Sequence, residues 1–481
     1  MFTKKISTGI TTFTLVMLIS GAIDSIRNLP ASALFGSSLI FFFIFSAIVF
    51  LIPAALVSAA FASNSTEKSG IFYWVKQAFG EKWGFLAIWL QWINTMVWFP
   101  TILSFIAGTA AYLINPALVQ NKLYLVIVIT SVIWLLTLIN LKGVQTSAKF
   151  AHFCALIGMV VPMLFIIALA VVWVILGKPM QVTFTHVDIL PSLNHSENWI
   201  SLTAIMTAFL GMELATVHVK EVNNPQKTFP RALGLSAILI LFTMICGSLA
   251  IAIVLPKNNI SLIDGVMQAF TNFFAVYHMQ WVTPVITIML LVGSLGNIIS
   301  WVISPAKGLL HAAQLGYLPK FFTKENQHGV AANILILQAV LVSVICLAYL
   351  LMPSVNGSYW LLSALSTQLY MLMYVLMFAA AFYTFAKTKL KANAFVIPGG
   401  KFGHSLVCIL GLIGCAITLI VGFIPPAGID VGGLLHFEIV FSSGMLAMIL
   451  PVLFFYMYKN KSKTVVISAS SLAKLGTEAA S

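Results

Sequence analysis

The chain has 481 residues, of which 60% are hydrophobic and only 8% charged, with a net charge of +13. A soluble domain carries about 25% charged residues, so a chain this apolar must take lipid as its solvent. The basic excess does not mark a nucleic-acid surface, because the lysines fall in short loops between apolar segments and do not cluster on one face.

The first apolar segment, Ile6 to Ile23, runs into Asp24, Ser25, Ile26, Arg27, Asn28, Leu29 and Pro30. A charge at membrane depth is costly and usually faces a partner or a water-filled cavity. No small-residue cleavage site ends this segment cleanly, so it reads as a span and not as a signal peptide. In all, twelve spans are predicted, at about 8–30, 37–61, 83–113, 122–141, 150–176, 198–219, 231–255, 281–311, 331–352, 358–386, 404–425 and 436–458. An even number puts both termini on one side. All 25 basic residues except Arg27, Lys122, Lys178 and Lys257 fall on that side, which makes it the cytoplasmic one.

Between spans 2 and 3, Gly70 to Phe79 is apolar and aromatic but too short to cross; it lies in the interface or dips inward. Between spans 7 and 8, Ile263–Tyr277 has helical periodicity and is expected to cap the outer face. Residues 459–481 read as a mobile cytoplasmic tail. The remainder, 1–458, is one transmembrane domain.

The sixth span is interrupted as the first is, at Gly211, Met212 and Glu213. Spans 1 and 6 each open a set of five, at about 8–176 and 198–386. An odd number of spans inverts the second set, which gives an inverted-repeat plan with spans 11 and 12 outside it. Broken helices in matching places of two repeats point to a transporter's binding site. Unwinding frees N–H groups on one half-helix and carbonyls on the other. In lipid these must be satisfied internally or by whatever fills the cavity. Freed N–H groups at a half-helix N-terminus suit a carboxylate, and freed carbonyls suit an amino group. Gly21 and Asp24–Pro30 are the candidates in span 1, and Gly211, Met212 and Glu213 in span 6.

Asp24 and Arg27 are three apart and would share a helical face. They form either a self-neutralising ion pair or a contact to a charged substrate, for which the forked guanidinium suits a carboxylate. Glu213 has no basic residue before it in its span. An unpaired buried carboxyl favours its neutral form, so Glu213 is a candidate proton-linked gate, against the alternative of a structural acid bonded to span 1 backbone. His218 and Glu221 read as a helix-end contact. In span 8, Gly293 to Trp301 mixes small and polar residues. Small residues permit close helix approach, and Asn297 and Trp301, four apart, could face a central cavity. In span 10, Ser363, Ser366, Thr367, Gln368, Tyr370 and Tyr374 form a polar stripe serving pathway or packing. Trp92, Trp98 and Trp360 read as packing or interface residues. His436 and Glu438 read as headgroup-level residues. The five cysteines sit in apolar segments without metal-ligand spacing and read as small buried hydrophobes. There is no phosphate-binding Gly-rich loop with Lys-Ser/Thr, no Ser-His-Asp arrangement and no metal motif, so neither an ATP-driven pump nor an enzyme is predicted, and no cofactor.

Several stretches resemble the amino acid/polyamine/organocation superfamily, most closely its bacterial glutamate/GABA antiporter branch. They are Lys68-Ser-Gly-Ile-Phe-Tyr-Trp-Val, Gly211-Met-Glu through His218, Glu221 and Pro225, Gly265-Val-Met-Gln, Ser300-Trp through Gly308, and Ile397-Pro-Gly-Gly-Lys401. Asp24, Arg27 and Asn297 stand outside that pattern. The resemblance implies an all-α integral membrane protein of twelve transmembrane helices, with a LeuT-like 5+5 inverted repeat and broken helices 1 and 6. It further implies a bacterial inner-membrane exchanger of amino acids in which the unwound part of span 1 and Gly211, Met212 and Glu213 form the central site. The reading is a secondary amino-acid antiporter working by alternating access. Gly21, Asp24, Ser25, Arg27, Asn28, Gly211, Met212, Asn297, Trp301 and Tyr370 contact substrate, and Glu213 is the gate. Its partners are an amino acid or amine and the bilayer, with a homodimer left open. The rivals are a proton-coupled symporter or uniporter for a neutral or cationic amino acid, and a non-transporting sensor.

Overall fold

The computed structural model describes residues 10–64, 70–143, 153–154, 156–190, 199–222, 224–387 and 394–459. Ten described helices are long and apolar enough to cross a membrane. The two predicted spans missing from that set are the first and the sixth. The tail after Lys459 lies outside the described residues.

Helix α1, Thr12–Ile23, starts on the side chain of Thr11, which accepts from the Thr14 N–H and satisfies one orphan donor of the first turn. It stops at Asp24, and Ser25 is extended at φ −110 and ψ 116. A single 3-10 turn, Ile26–Asn28, leads into helix α2, Leu29–Ala33, with Pro30 in its first turn. Proline is tolerated there because its missing N–H would have been an orphan anyway. A continuous helix through Pro30 would instead lose a bond and meet the ring, so the break falls upstream of it.

The chain then forms α3 (Gly36–Asn64), α4 (Ile71–Phe79), α5 (Glu81–Ala111), α6 (Lys122–Leu141) and α7 (Leu156–Ile175). Helix α4 is the short aromatic segment between the second and third predicted spans. Its Trp74 is buried and stacks on Phe61 with ring centroids 4.7 Å apart.

Helix α8, Ser201–Ala208, is the first half of the sixth predicted span. It ends at Phe209. Gly211 takes φ +110, which side chains rarely adopt, and a 3-10 segment, Leu214–Glu221, follows. An isolated parallel bridge joins Ile10, just before α1, to Val222, just after that segment, so both broken spans meet at one end of the bundle.

The remaining helices are α9 (Pro225–Val254), α10 (Gly265–Val276), α11 (Gln280–Gln314), α12 (Ala332–Leu351), α13 (Val355–Lys387), α14 (Gly400–Val421) and α15 (Leu434–Lys459). Helix α13 packs along α5 and α14, α11 along α5, and α9 along α1 and α3. Close approach is achieved with glycine where it is tightest. A Cβ on Gly158 of α7 would lie 2.0 Å from the Gly293 Cα of α11, and one on Gly296 would lie 2.4 Å from the Cys154 Cβ. The small residues of the eighth predicted span therefore serve packing.

Within the predicted Ile263–Tyr277 segment, Gly265–Val276 is helical, and the loop before it is stitched across one end of the bundle. The Leu262 N–H donates to the Asn356 side chain at 2.9 Å, and the Tyr112 hydroxyl donates to Asp264 at 2.8 Å. A Cβ on Gly265 would lie 2.9 Å from Pro30, so the cap rests directly on α2.

Candidate functional site

The two interruptions meet. A Cβ on Gly211 would lie 3.4 Å from Ile23, the last residue of α1, and 3.1 Å from Leu214. Around this junction α5 and α13 each present one polar face. On α5 the positions are Gln91, Asn94, Trp98 and Thr101, and on α13 they are Tyr359, Ser363, Ser366, Thr367, Tyr370 and Tyr374. Steps of three and four keep each set on one side of a helix.

Glu213 is fully buried. One carboxylate oxygen accepts from the Tyr370 hydroxyl at 2.5 Å and the Gln91 amide at 3.1 Å, and the other accepts from the Tyr374 hydroxyl. The Tyr374 hydroxyl also accepts the Gly211 N–H at 2.9 Å. One phenol thus ties the backbone at the break to the acid that follows it. Glu213 is a bonded acid, but its donors come from α5 and α13 and not from the backbone of α1. It has no basic partner among the described residues.

Arg27 is 3% exposed. Its guanidinium donates to Thr101 at 2.9 Å and to the Tyr359 hydroxyl at 3.3 Å, and lies 5.0 Å above the Trp98 ring. Its Nε is buried with no acceptor. Trp98 in turn packs on Trp301 with centroids 5.3 Å apart. The self-neutralising pair with Asp24 does not form. Asp24 turns the other way, and its Oδ2 receives the Thr243 hydroxyl of α9 at 2.7 Å. The extended backbone at Ser25, between the two residues, breaks the helical register that would have put them on one face.

Asn28 lines a pocket with Ala31, Thr203, Thr207, Tyr359 and Ser363. Its walls are α2, α8 and α13, and Tyr359 is shared with Arg27. Thr207 also bonds Thr367 of α13 at 2.5 Å. The sequence-predicted residues fall in two groups: Arg27 and Asn28 lie with Thr101 and Tyr359, and with Trp301 through Trp98, while Gly211, Glu213 and Tyr370 meet at the break of the sixth predicted span. The two groups stand about 15 Å apart along α5 and α13, from the rise of a helix between Gln91 and Thr101. Gly21 is half-buried inside α1, Ser25 is half-buried in the break, and Met212 is buried beside Gly211. The side chains of Asn297, His218 and Glu221 lie outside the described residues.

Sequence reasoning passed over Gln91, Asn94, Thr101 and Tyr359. Asn94 accepts from Ser366 at 2.5 Å, which locks the two polar faces together. The signal was legible in the 3-4-3 spacing of Gln91, Asn94, Trp98 and Thr101 within an uncharged run. In the α13 stripe, Gln368 serves packing instead, donating to the Thr418 carbonyl of α14 at 2.7 Å. All five cysteines are free, and no cluster of metal-ligating residues occurs among the described residues.

Residues 10–445 match the family model described as amino acid permease. The chain is 40% identical over 443 residues to an uncharacterized transporter of Legionella pneumophila, covering 92% of this chain and 95% of that one. It is 29% identical over 431 residues to a glutamate/gamma-aminobutyrate antiporter of Lactococcus lactis subsp. lactis, covering 89% and 85%. It is 25% identical over 364 residues to a probable agmatine/putrescine antiporter of the same subspecies, covering 74% and 75%. With nine-tenths of its length matched and its broken helices apposed, the chain belongs to the amino acid permease family, whose members here are membrane transporters and not enzymes.

Proposed function

We propose that the protein is a secondary amino-acid antiporter that works by alternating access. It would have twelve spans in a LeuT-like 5+5 inverted repeat, with both termini in the cytoplasm of a bacterial cell. Ten intact helices plus two broken ones agree with that count. The observation that carries the reading is the apposition of the two interruptions beside a buried arginine that has no acidic partner among the described residues. A buried guanidinium held only by neutral hydroxyls and an aromatic face is incompletely compensated. A substrate's side-chain carboxylate would complete it, with the freed backbone groups of the two breaks taking the zwitterion. Relatives named as antiporters of glutamate/gamma-aminobutyrate and agmatine/putrescine support exchange.

Glu213 is assigned the gate. Its carboxyl joins the break to α5 and α13, so a change in its protonation alters hydrogen bonds on three elements at once. In proteoliposomes, labelled amino acid should accumulate only when unlabelled substrate is inside. Accumulation into empty vesicles driven by a pH gradient would replace exchange with symport. Glu213→Gln should flatten the pH dependence of exchange, and an unchanged pH profile would remove Glu213 from the gate.

A further inference from the structure

Asp24 is a half-buried acid at the break of the first span, and neither the pocket lined by Asn28 nor the Glu213 gate uses it. It caps the C-terminal end of α1, and its N–H bonds the Ser20 carbonyl at 2.7 Å. That end of a helix carries the negative pole of the macrodipole and its unpaired carbonyls. An ionised carboxylate there is the reverse of the favourable arrangement. Its Oδ1 is buried and has no partner, and the Ser20 hydroxyl one turn earlier has none either.

No cation offsets it among the described residues. Arg27 bonds Thr101 and Tyr359. Glu213, across Gly211, is held by Gln91, Tyr370 and Tyr374. Asp264, behind Pro30 and Gly265, is held by Tyr112. On α9, Cys246 is the only titratable side chain from Ala232 to Val254, and α2, α8 and α7 (from Leu156) contribute no charged group.

Thr243 explains what the site can hold. Its hydroxyl has one proton but three acceptors in reach, Asp24 Oδ2 at 2.7 Å, the Leu239 carbonyl at 2.8 Å and the Ile240 carbonyl at 3.2 Å. With Asp24 ionised, the hydroxyl must turn to the carboxylate. With Asp24 protonated, the acid donates to the Thr243 oxygen while that hydroxyl donates to Leu239, and both side chains are paired. One carboxyl and one hydroxyl fall far short of the six or so oxygens a hard cation needs (about 6–8 for calcium).

We propose that Asp24 and Thr243 form a proton-binding site at the break of span 1, separate from Glu213, whose occupancy is linked to transport. The coupling rests on the transport reading; the proton binding does not. Infrared spectra of the full-length protein in liposomes, titrated with pH, test the binding directly. A protonated-carboxyl band should titrate in wild type and persist in Glu213→Gln, and Asp24→Asn should remove a component of it. Thr243→Val, which keeps the carboxyl, should shift that band and move its midpoint to more alkaline pH, because the ionised form loses a donor. In the same vesicles, the ratio of uptake at acid and alkaline pH should fall in Asp24→Asn and approach about one when Asp24→Asn is combined with Glu213→Gln, with no sodium requirement in any variant. Identical titrations in wild type, Asp24→Asn and Thr243→Val would overturn the proposal. So would a sodium requirement abolished by Asp24→Asn. Absence of uptake by wild type at every pH would instead sink the transport reading, leaving the infrared result to decide this one.

Discussion

Arg27 and Asp24 stand three positions apart, yet they serve opposite sides of the broken span. Arg27 turns to α5 and α13, and Asp24 to α9. If Arg27 reads a carboxylate, Arg27→Ala should weaken substrates with a second carboxylate about tenfold more than neutral ones, since a charge-assisted hydrogen bond contributes about 1.5–3 kcal/mol. Competition assays against a panel of amino acids measure this, and equal loss for all substrates would make the residue structural. Tyr374→Phe should cost about 1–3 kcal/mol at the junction, because it orphans the buried Gly211 N–H and removes one donor from Glu213. The protein should still purify folded, with exchange slowed about tenfold. Arg27 and Glu213 were legible as chemistry because charge inside an apolar run is costly wherever it points. Their partners were not. A lone Gln91 or Thr101 in a membrane helix has the same composition whether it faces a cavity, a neighbour or its own backbone, and only the fold distinguishes these.

Among the elements, the two interrupted helices were visible in the chain itself, through Asp24 and Pro30 in one and Gly211 in the other. The positive φ of Gly211 has no sequence signature beyond the glycine, but it makes a sharp prediction. Gly211→Ala must adopt a left-handed backbone with its methyl 3.1 Å from Leu214, at a cost of about 1–3 kcal/mol. A lowered melting temperature in detergent, together with reduced exchange, should follow. The α7–α11 contact is less forgiving. Gly293→Val would drive side-chain atoms into the Gly158 backbone, where even a Cβ would lie 2.2 Å from the Cα. That overpacking should cost about 3 kcal/mol or more and abolish the yield of folded protein. The small-residue run of the eighth span suggested close packing, while the identity of the neighbouring helix required three dimensions.

For the whole molecule, the apolar periodicity defined ten uninterrupted helices well, and the short amphipathic segments at Ile71–Phe79 and Gly265–Val276 were recognisable by length. How the cap closes over the bundle was not readable, since it depends on Tyr112, Asn356 and Pro30 from three other helices. Burial pushes the Asp264 carboxyl up from the usual range, so its protonated form favours the folded cap. The associated stability is present at acid pH and lost as pH rises through the raised value. Hydrogen exchange of residues 265–276, corrected for intrinsic rates, should therefore quicken with rising pH in wild type and lose that dependence in Asp264→Asn.

The central claim is that two unwound stretches grip the amino-acid backbone between them. A cryo-electron microscopy map of the protein with a transported amino acid bound measures this most directly. The account predicts ligand density between Asp24–Asn28 and Gly211–Glu213, with a carboxylate within hydrogen-bonding reach of Arg27 or of the freed N–H groups. Density at any other place, or continuous helix through Ser25 and Met212 with substrate bound, would contradict it.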